Sequence, residues 1–225
     1  HLLWLICCIP VFTVGAATTA VYYVTLKLVR DEDDSTIRSF FRSFTQNFKQ
    51  ATAIWLLILL AGALVAFDLW FLLGGAAAAG FAMALPSAVK TVFTAVLGGM
   101  TMLLLFIILY VFPLQARFYN TVKHTLLNAL FMSVRHLIQT VAMLAVDAML
   151  LVGAYFAFFL MPQAAMLLML FGFPLVAFVN SYFLTAIFNN YIPKEEKQEY
   201  SKGISPLLDE NNKEVEDAIQ SLKNK

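Results

Sequence analysis

Charge is scarce in this chain of 225 residues: Asp, Glu, Lys and Arg make up 13% of it, against 61% hydrophobic residues. Soluble domains carry roughly 25% charged and about 45–50% apolar residues. That ratio, with a mean hydropathy of +0.78, excludes a water-soluble fold. Cysteine is almost missing. Cys7 and Cys8 are adjacent inside an apolar run, poorly placed to bridge each other and without Cys/His ligand spacing around them. They read as small residues packed in a membrane helix.

Histidine occurs three times, at His1, His124 and His136. A three-histidine metal site is therefore not expected, and His124 and His136 read as solvated or interfacial groups flanking a turn. Several motifs are missing altogether. No Gly-rich phosphate loop ends in Lys-Ser/Thr, so the chain does not energise transport itself. No His-Glu-x-x-His and no Gly-x-Ser-x-Gly elbow occur. Neither an enzyme nor a cofactor, a metal or a nucleic-acid partner is expected.

Cations are also missing from long stretches, and this organises what remains. Fourteen of the fifteen Lys and Arg residues fall in 27–49, 117–135 and 194–225, with Lys90 the exception. Loops rich in Lys and Arg stay on the cytoplasmic side of a membrane. The lipid bilayer is thus the first expected partner, and the cation clusters mark an inner face.

A spanning helix needs ~20 apolar residues. The expected architecture is an all-α transmembrane bundle of about six spans with interfacial helices on the cytoplasmic side. The spans are placed at about 1–10 (the end of a truncated first one), 13–30, 51–73, 87–112, 137–160 and 165–191. An outer turn is expected at Pro10–Val14, and the small residues Gly15–Ala20 permit close helix approach. In 36–50, Ile37, Phe40, Phe41, Phe44 and Phe48 recur at spacings of three and four, with Arg38, Arg42 and Lys49 off the stripe. This predicts an interfacial helix, aromatic face down, running on into the third span. Residues 113–136 read as a continuation of the fourth span followed by an interfacial turn. Pro193 ends the last helix. A cytoplasmic tail over 193–225 follows, with a short amphipathic helix suggested by Val215, Ala218, Ile219 and Leu222.

The acids inside apolar sequence carry the sharper chemistry. A carboxylate at the middle of a span costs ~2.5–3.5 kcal/mol on translocon scales, so it faces the bundle, is protonated or has a partner. Asp147 and Asn180 each lie about ten residues from the inner ends of spans five and six, or ~15 Å. The two can meet at one depth as a midplane polar site, either as a structural hydrogen bond or as a substrate, proton or partner site. Asp68 and Lys90, near the outer ends of spans three and four, are expected to form an outer ion pair.

Two blocks of sequence resemble a known family. The first runs through Leu3-Trp4-Leu5-Ile6-Cys7-Cys8-Ile9-Pro10, Thr13–Tyr23, Ser39-Phe40-Phe41-Arg42-Ser43-Phe44 and Asn47-Phe48-Lys49-Gln50-Ala51. The second is Phe112-Pro113-Leu114-Gln115-Ala116-Arg117-Phe118, with Asn120, Asn128-Ala129 and Arg135-His136. Together they look like the YesL family of small polytopic bacterial membrane proteins, a resemblance covering nearly all of 1–192. It implies about six spans in the bacterial inner membrane. It also implies a supporting role in carbohydrate uptake, since members are often encoded beside carbohydrate ABC importers. No catalytic residues come with it.

Three functions follow as expectations. The first is an accessory protein docking to permease or ATPase subunits of such an importer. Arg38, Arg42, Lys49, Arg117, Asn120, Lys123, Asn128 and Arg135 would form its cytoplasmic docking surface. The importer's own permeases would carry a Glu-Ala-Ala…Gly docking loop, which 115–136 lacks. The second is a self-contained small-solute transporter or channel using Asp147 and Asn180. The third is a ligand-free scaffold.

Overall fold

The structure, a computed structural model, describes residues 2–32, 35–75, 86–160 and 162–192, with only the backbone described for 162–170. The expected tail helix at 215–222 lies outside those residues. Two compact units divide the chain, His1–Thr185 and Ala186–Lys225.

Seven α-helices make up the described part: α1 (Leu2–Cys8), α2 (Val14–Val29), α3 (Thr36–Trp70), α4 (Ser87–Arg117), α5 (Val122–Arg135), α6 (Leu137–Leu160) and α7 (Pro162–Phe188). The fold is all-α, as the long apolar runs predict. Among the described residues, five helical stretches are long and apolar enough to cross a membrane, beginning at Val11, Thr36, Ser87, Leu137 and Phe171. The sixth expected span is represented by α1, whose seven residues reach only ~10 Å at the helical rise.

The five differ in what covers them. In α3 the side chains of Leu56, Leu57, Leu59, Leu60, Leu64, Phe67 and Trp70 are exposed, and in α4 those of Val89, Val92, Phe93, Val96, Met100, Met102, Leu103 and Leu105. From Leu56 to Leu73 is ~26 Å of helix, close to the ~30 Å hydrocarbon core. These bare halves are therefore the lipid-facing zone. The other halves, 36–55 of α3 and 106–117 of α4, are packed against protein.

α2 belongs with the packed halves. Its most apolar window is 61% buried, against 11% for α3 and 6% for α6. The Trp55 indole N–H donates to the Val11 carbonyl at 2.7 Å, and Gly15 lies against Ala51 and Trp55. At the far end, Val24, Thr25 and Leu28 line one groove with Thr36 and Phe40. So α2 runs antiparallel to 36–55 of α3, level with Arg38, Arg42 and Lys49. The turn at 10–13 therefore stands at the start of the third expected span, not at its outer end. The reason is length: α3, with 35 residues, reaches ~52 Å, and a 16-residue α2 covers only its first half.

Three local expectations are also revised. The aromatic stripe of 36–50 does not set the buried face. Phe40 goes in, but so do Ser39 and Ser43, while Ile37 and Phe41 stay exposed. Small side chains let α3 approach α2 more closely than a row of Phe would. Residues 122–135 form a helix where a turn was expected. Thr121, in extended conformation, caps it by accepting from the His124 backbone N–H. Thr125, Ala129, Met132 and Ser133 make its buried stripe, at spacings of four, three and one. The last helix ends at Phe188, short of Pro193. In the second unit, Asn190 N–H bonds Ile187 O at 3.0 Å and Tyr191 N–H bonds Phe188 O at 2.9 Å, closing a turn over its last residues.

Candidate functional site

Among the described residues, two polar clusters each link side chains from three helices. The first joins α2, α6 and α7. The Asn180 Nδ2 donates to both carboxylate oxygens of Asp147, at 3.0 and 3.1 Å. Asn180 is fully buried and Asp147 is half-buried. Tyr22, one turn before Thr25 on α2, is also buried. One residue on from Asn180, the hydroxyls of Ser181 and Thr25 are 2.8 Å apart, both buried. The Ser181 hydroxyl also reaches the Ala177 carbonyl at 2.7 Å. The Oδ1 of Asn180 is buried without a hydrogen-bond partner among the described residues.

The sequence places Asp147 beside Asn180, and the structure joins them. Ser181 bonds Thr25, and Thr25 shares a groove with Thr36 and Phe40, so the cluster is level with the cation-bearing half of α3. Tyr22, Thr25 and Ser181 were missed from sequence. Thr25 lies one turn after Tyr22, and Ser181 is next to Asn180; both spacings were legible. Replacing Thr25 by Val removes the bond to Ser181 and a longer one to the Tyr22 carbonyl at 3.3 Å, and leaves Ser181 its Ala177 partner. A loss of about 1 kcal/mol is expected, read as a lowered thermal midpoint in detergent.

The second cluster is centred on Gln115, buried at the end of α4. Its Nε2 donates to Gln50 Oε1 at 2.7 Å and to Asn47 Oδ1 at 3.2 Å, and its Oε1 accepts from Thr125 at 3.2 Å. Asn47 in turn donates to the Ser43 carbonyl at 3.1 Å and to its hydroxyl at 3.2 Å. One side chain thus links α3, α4 and α5. Beside it lies a cavity of about 170 Å³ lined by Tyr23, Arg30, Gln46, Asn47, Gln115 and Arg117, among others. Arg30 is paired there with Glu32, Nε to Oε1 at 2.7 Å.

Of the expected docking residues, Arg38, Arg42, Lys49, Lys123 and Arg135 are exposed, and Arg117, Asn120 and Asn128 are half-buried. The outer ion pair is not formed. Asp68 and Lys90 are both exposed, and among the described residues no ion pair joins them. Lys90 lies in 86–93, where every residue is exposed, so no packed neighbour offers it a carboxylate.

The profile of a family of proteins of unknown function, DUF624, matches residues 1–69. That stretch is α1, α2 and nearly all of α3, including Gly15, Tyr22 and Asn47. No curated protein and no solved structure matches the chain.

Proposed function

We propose that this chain is an integral membrane accessory protein of bacterial carbohydrate uptake, of the YesL kind. It docks to permease or ATPase subunits of an ABC importer on the cytoplasmic side. The observation that supports this reading is the Gln115 network. It ties together residues from both blocks that carry the resemblance (Asn47 and Gln50 from the first, Gln115 from the second). On the helices it joins stand the exposed cations Arg38, Arg42, Lys49, Lys123 and Arg135. A rigid patch rimmed by unburied charge suits a partner better than it suits catalysis. The Lys and Arg content of this end supports an orientation with it on the inner side of the bacterial inner membrane, and the six Lys of 194–225 support a cytoplasmic tail on the same sequence rule.

Affinity purification from the native membrane in mild detergent tests it. Importer subunits should be recovered with the wild type, and the triple variant Arg38→Glu, Arg42→Glu, Lys49→Glu should lower that recovery by about tenfold or more. Recovery unchanged by the triple variant, or no importer subunit at all, would refute the docking reading. The unpartnered Oδ1 of Asn180 favours a second reading, a small-solute transporter. That one predicts solute flux into liposomes without ATP, altered by Asp147→Asn. A chain with neither partner nor flux is a scaffold.

A further inference from the structure

The cavity beside Gln115 is walled by two cations and by no acid. Arg30 stands at the end of α2 and Arg117 at the end of α4, and both line it. None of its described lining residues is Asp or Glu. Lys27 brings a third positive charge close by, its ammonium 5.3 Å from the ring centre of Tyr23, which also lines the cavity. Glu32 offsets one of these charges through its pair with Arg30.

Helix ends alone can call for cations, because the last carbonyls of a helix attract positive charge. Here backbone groups already answer much of that demand. At the end of α2, the N–H groups of Arg30 and Glu32 donate to the Lys27 carbonyl at 3.0 and 3.2 Å, and that of Asp31 donates to Leu28 at 3.3 Å. At the end of α4, the Phe118 N–H donates to the Leu114 carbonyl at 2.8 Å. Nor does Glu32 exhaust Arg30, which it meets at Nε and Nη2. A guanidinium carries five N–H donors, and its second edge, Nη1 with Nη2, can grip another oxyanion.

We propose that this cavity binds one phosphate group, held between the guanidinium groups of Arg30 and Arg117. Phosphate accepts paired N–H bonds from a planar guanidinium fork, in charge and in geometry. Size limits the ligand further. The cavity's volume of about 170 Å³ falls below the ~300–1,000 Å³ of pockets that enclose a drug-sized molecule. A single phosphate enters, and whatever it is esterified to stays outside. Two sources share that chemistry, a soluble phosphate compound and an anionic lipid headgroup. Arg38, Arg42 and Lys49 do not line the cavity, so the phosphate proposal and the importer reading succeed or fail separately.

Isothermal titration of the purified protein in detergent with sodium orthophosphate, and separately with phosphatidylglycerol in mixed micelles, tests it directly. At least one probe should saturate at one ligand per chain. Sodium chloride at equal ionic strength, and diacylglycerol in the same micelles, should not reproduce it. Saturation by orthophosphate assigns the site to soluble phosphate compounds, and saturation by phosphatidylglycerol alone assigns it to a lipid headgroup. Arg117→Gln should weaken the binding by about tenfold or more. In case that variant fails to fold, Glu32→Gln tests the opposite sign. It removes the carboxylate that competes for Arg30 and should tighten binding several-fold. No saturation by either probe would overturn the proposal. So would a folded Arg117→Gln protein with wild-type affinity, or a Glu32→Gln protein that binds no more tightly than the wild type.

Discussion

Gly15→Val should cost this chain its folded state. A Cβ at Gly15 would stand 2.6 Å from the Cβ of Trp55 and would overlap the Ala51 carbonyl oxygen. Neither atom can rotate away: one is backbone, and the other is fixed to it. The helices would have to separate where α2 meets α3, and the Trp55–Val11 hydrogen bond would be lost with them. Overpacking costs about 1–3 kcal/mol where side chains can adjust, and the cost is larger where a backbone must move. Even Gly15→Ala should reduce the yield of monodisperse protein in fluorescence-detected size exclusion, and Gly15→Val should abolish it. Gly62, also in α3, has open space around its missing Cβ. Gly62→Ala should leave stability unchanged or raise it by about 0.5–1 kcal/mol, since a helical glycine gives way to alanine. A Gly15→Val protein with wild-type yield and midpoint would show that α2 does not sit on Ala51.

Gln115→Leu should have the second largest effect. The leucine fills the volume but removes a donor from Gln50 and Asn47 and an acceptor from Thr125. Thr125 keeps the Thr121 carbonyl at 3.1 Å and Gln50 is exposed, so the main loss falls on half-buried Asn47 and on the link between helices. About 2–3 kcal/mol is expected, roughly a 5–10 °C fall in thermal midpoint for a unit of this size. Thr125→Val should cost less than half of that. Equal effects of the two would move the centre of the network from Gln115 to α5.

The all-α membrane class was legible because lipid demands long apolar runs, and 61% hydrophobic content leaves little else. The meeting of Asp147 with Asn180 was legible for a related reason: equal distances from the inner ends of two helices joined by a short turn bring them level. The height of α2 was not. Periodicity tells which face of a helix is apolar, but α3 is one unbroken helix, and nothing in its sequence says which half lies beside α2. That choice is made by Gly15 against Ala51, a fit between two small residues 36 positions apart. The Gln115 network was hidden for another reason: amides carry no charge pattern, and Asn47, Gln50 and Gln115 look like ordinary polar residues near helix ends. The Asp68–Lys90 pair erred in the opposite direction, since two opposite charges at one level were matched without a packed surface to hold them.

Only Thr140 and Met143 are buried in α6, both within its first two turns; beyond them the helix turns bare hydrocarbon to its surroundings. Apolar side chains gain little by leaving lipid for protein, so they do not decide which way such a helix is rotated about its own axis. The decision falls to two polar contacts: Thr140 against Tyr110, hydroxyl to hydroxyl at 2.9 Å, and Asp147 against Asn180. Together the hydroxyl and the carboxylate act as two pins that set the azimuth of a 24-residue rod. Neutralising that carboxylate would leave Thr140 alone to hold the rod, near its first turn, and take the polar guide from the rest of its length.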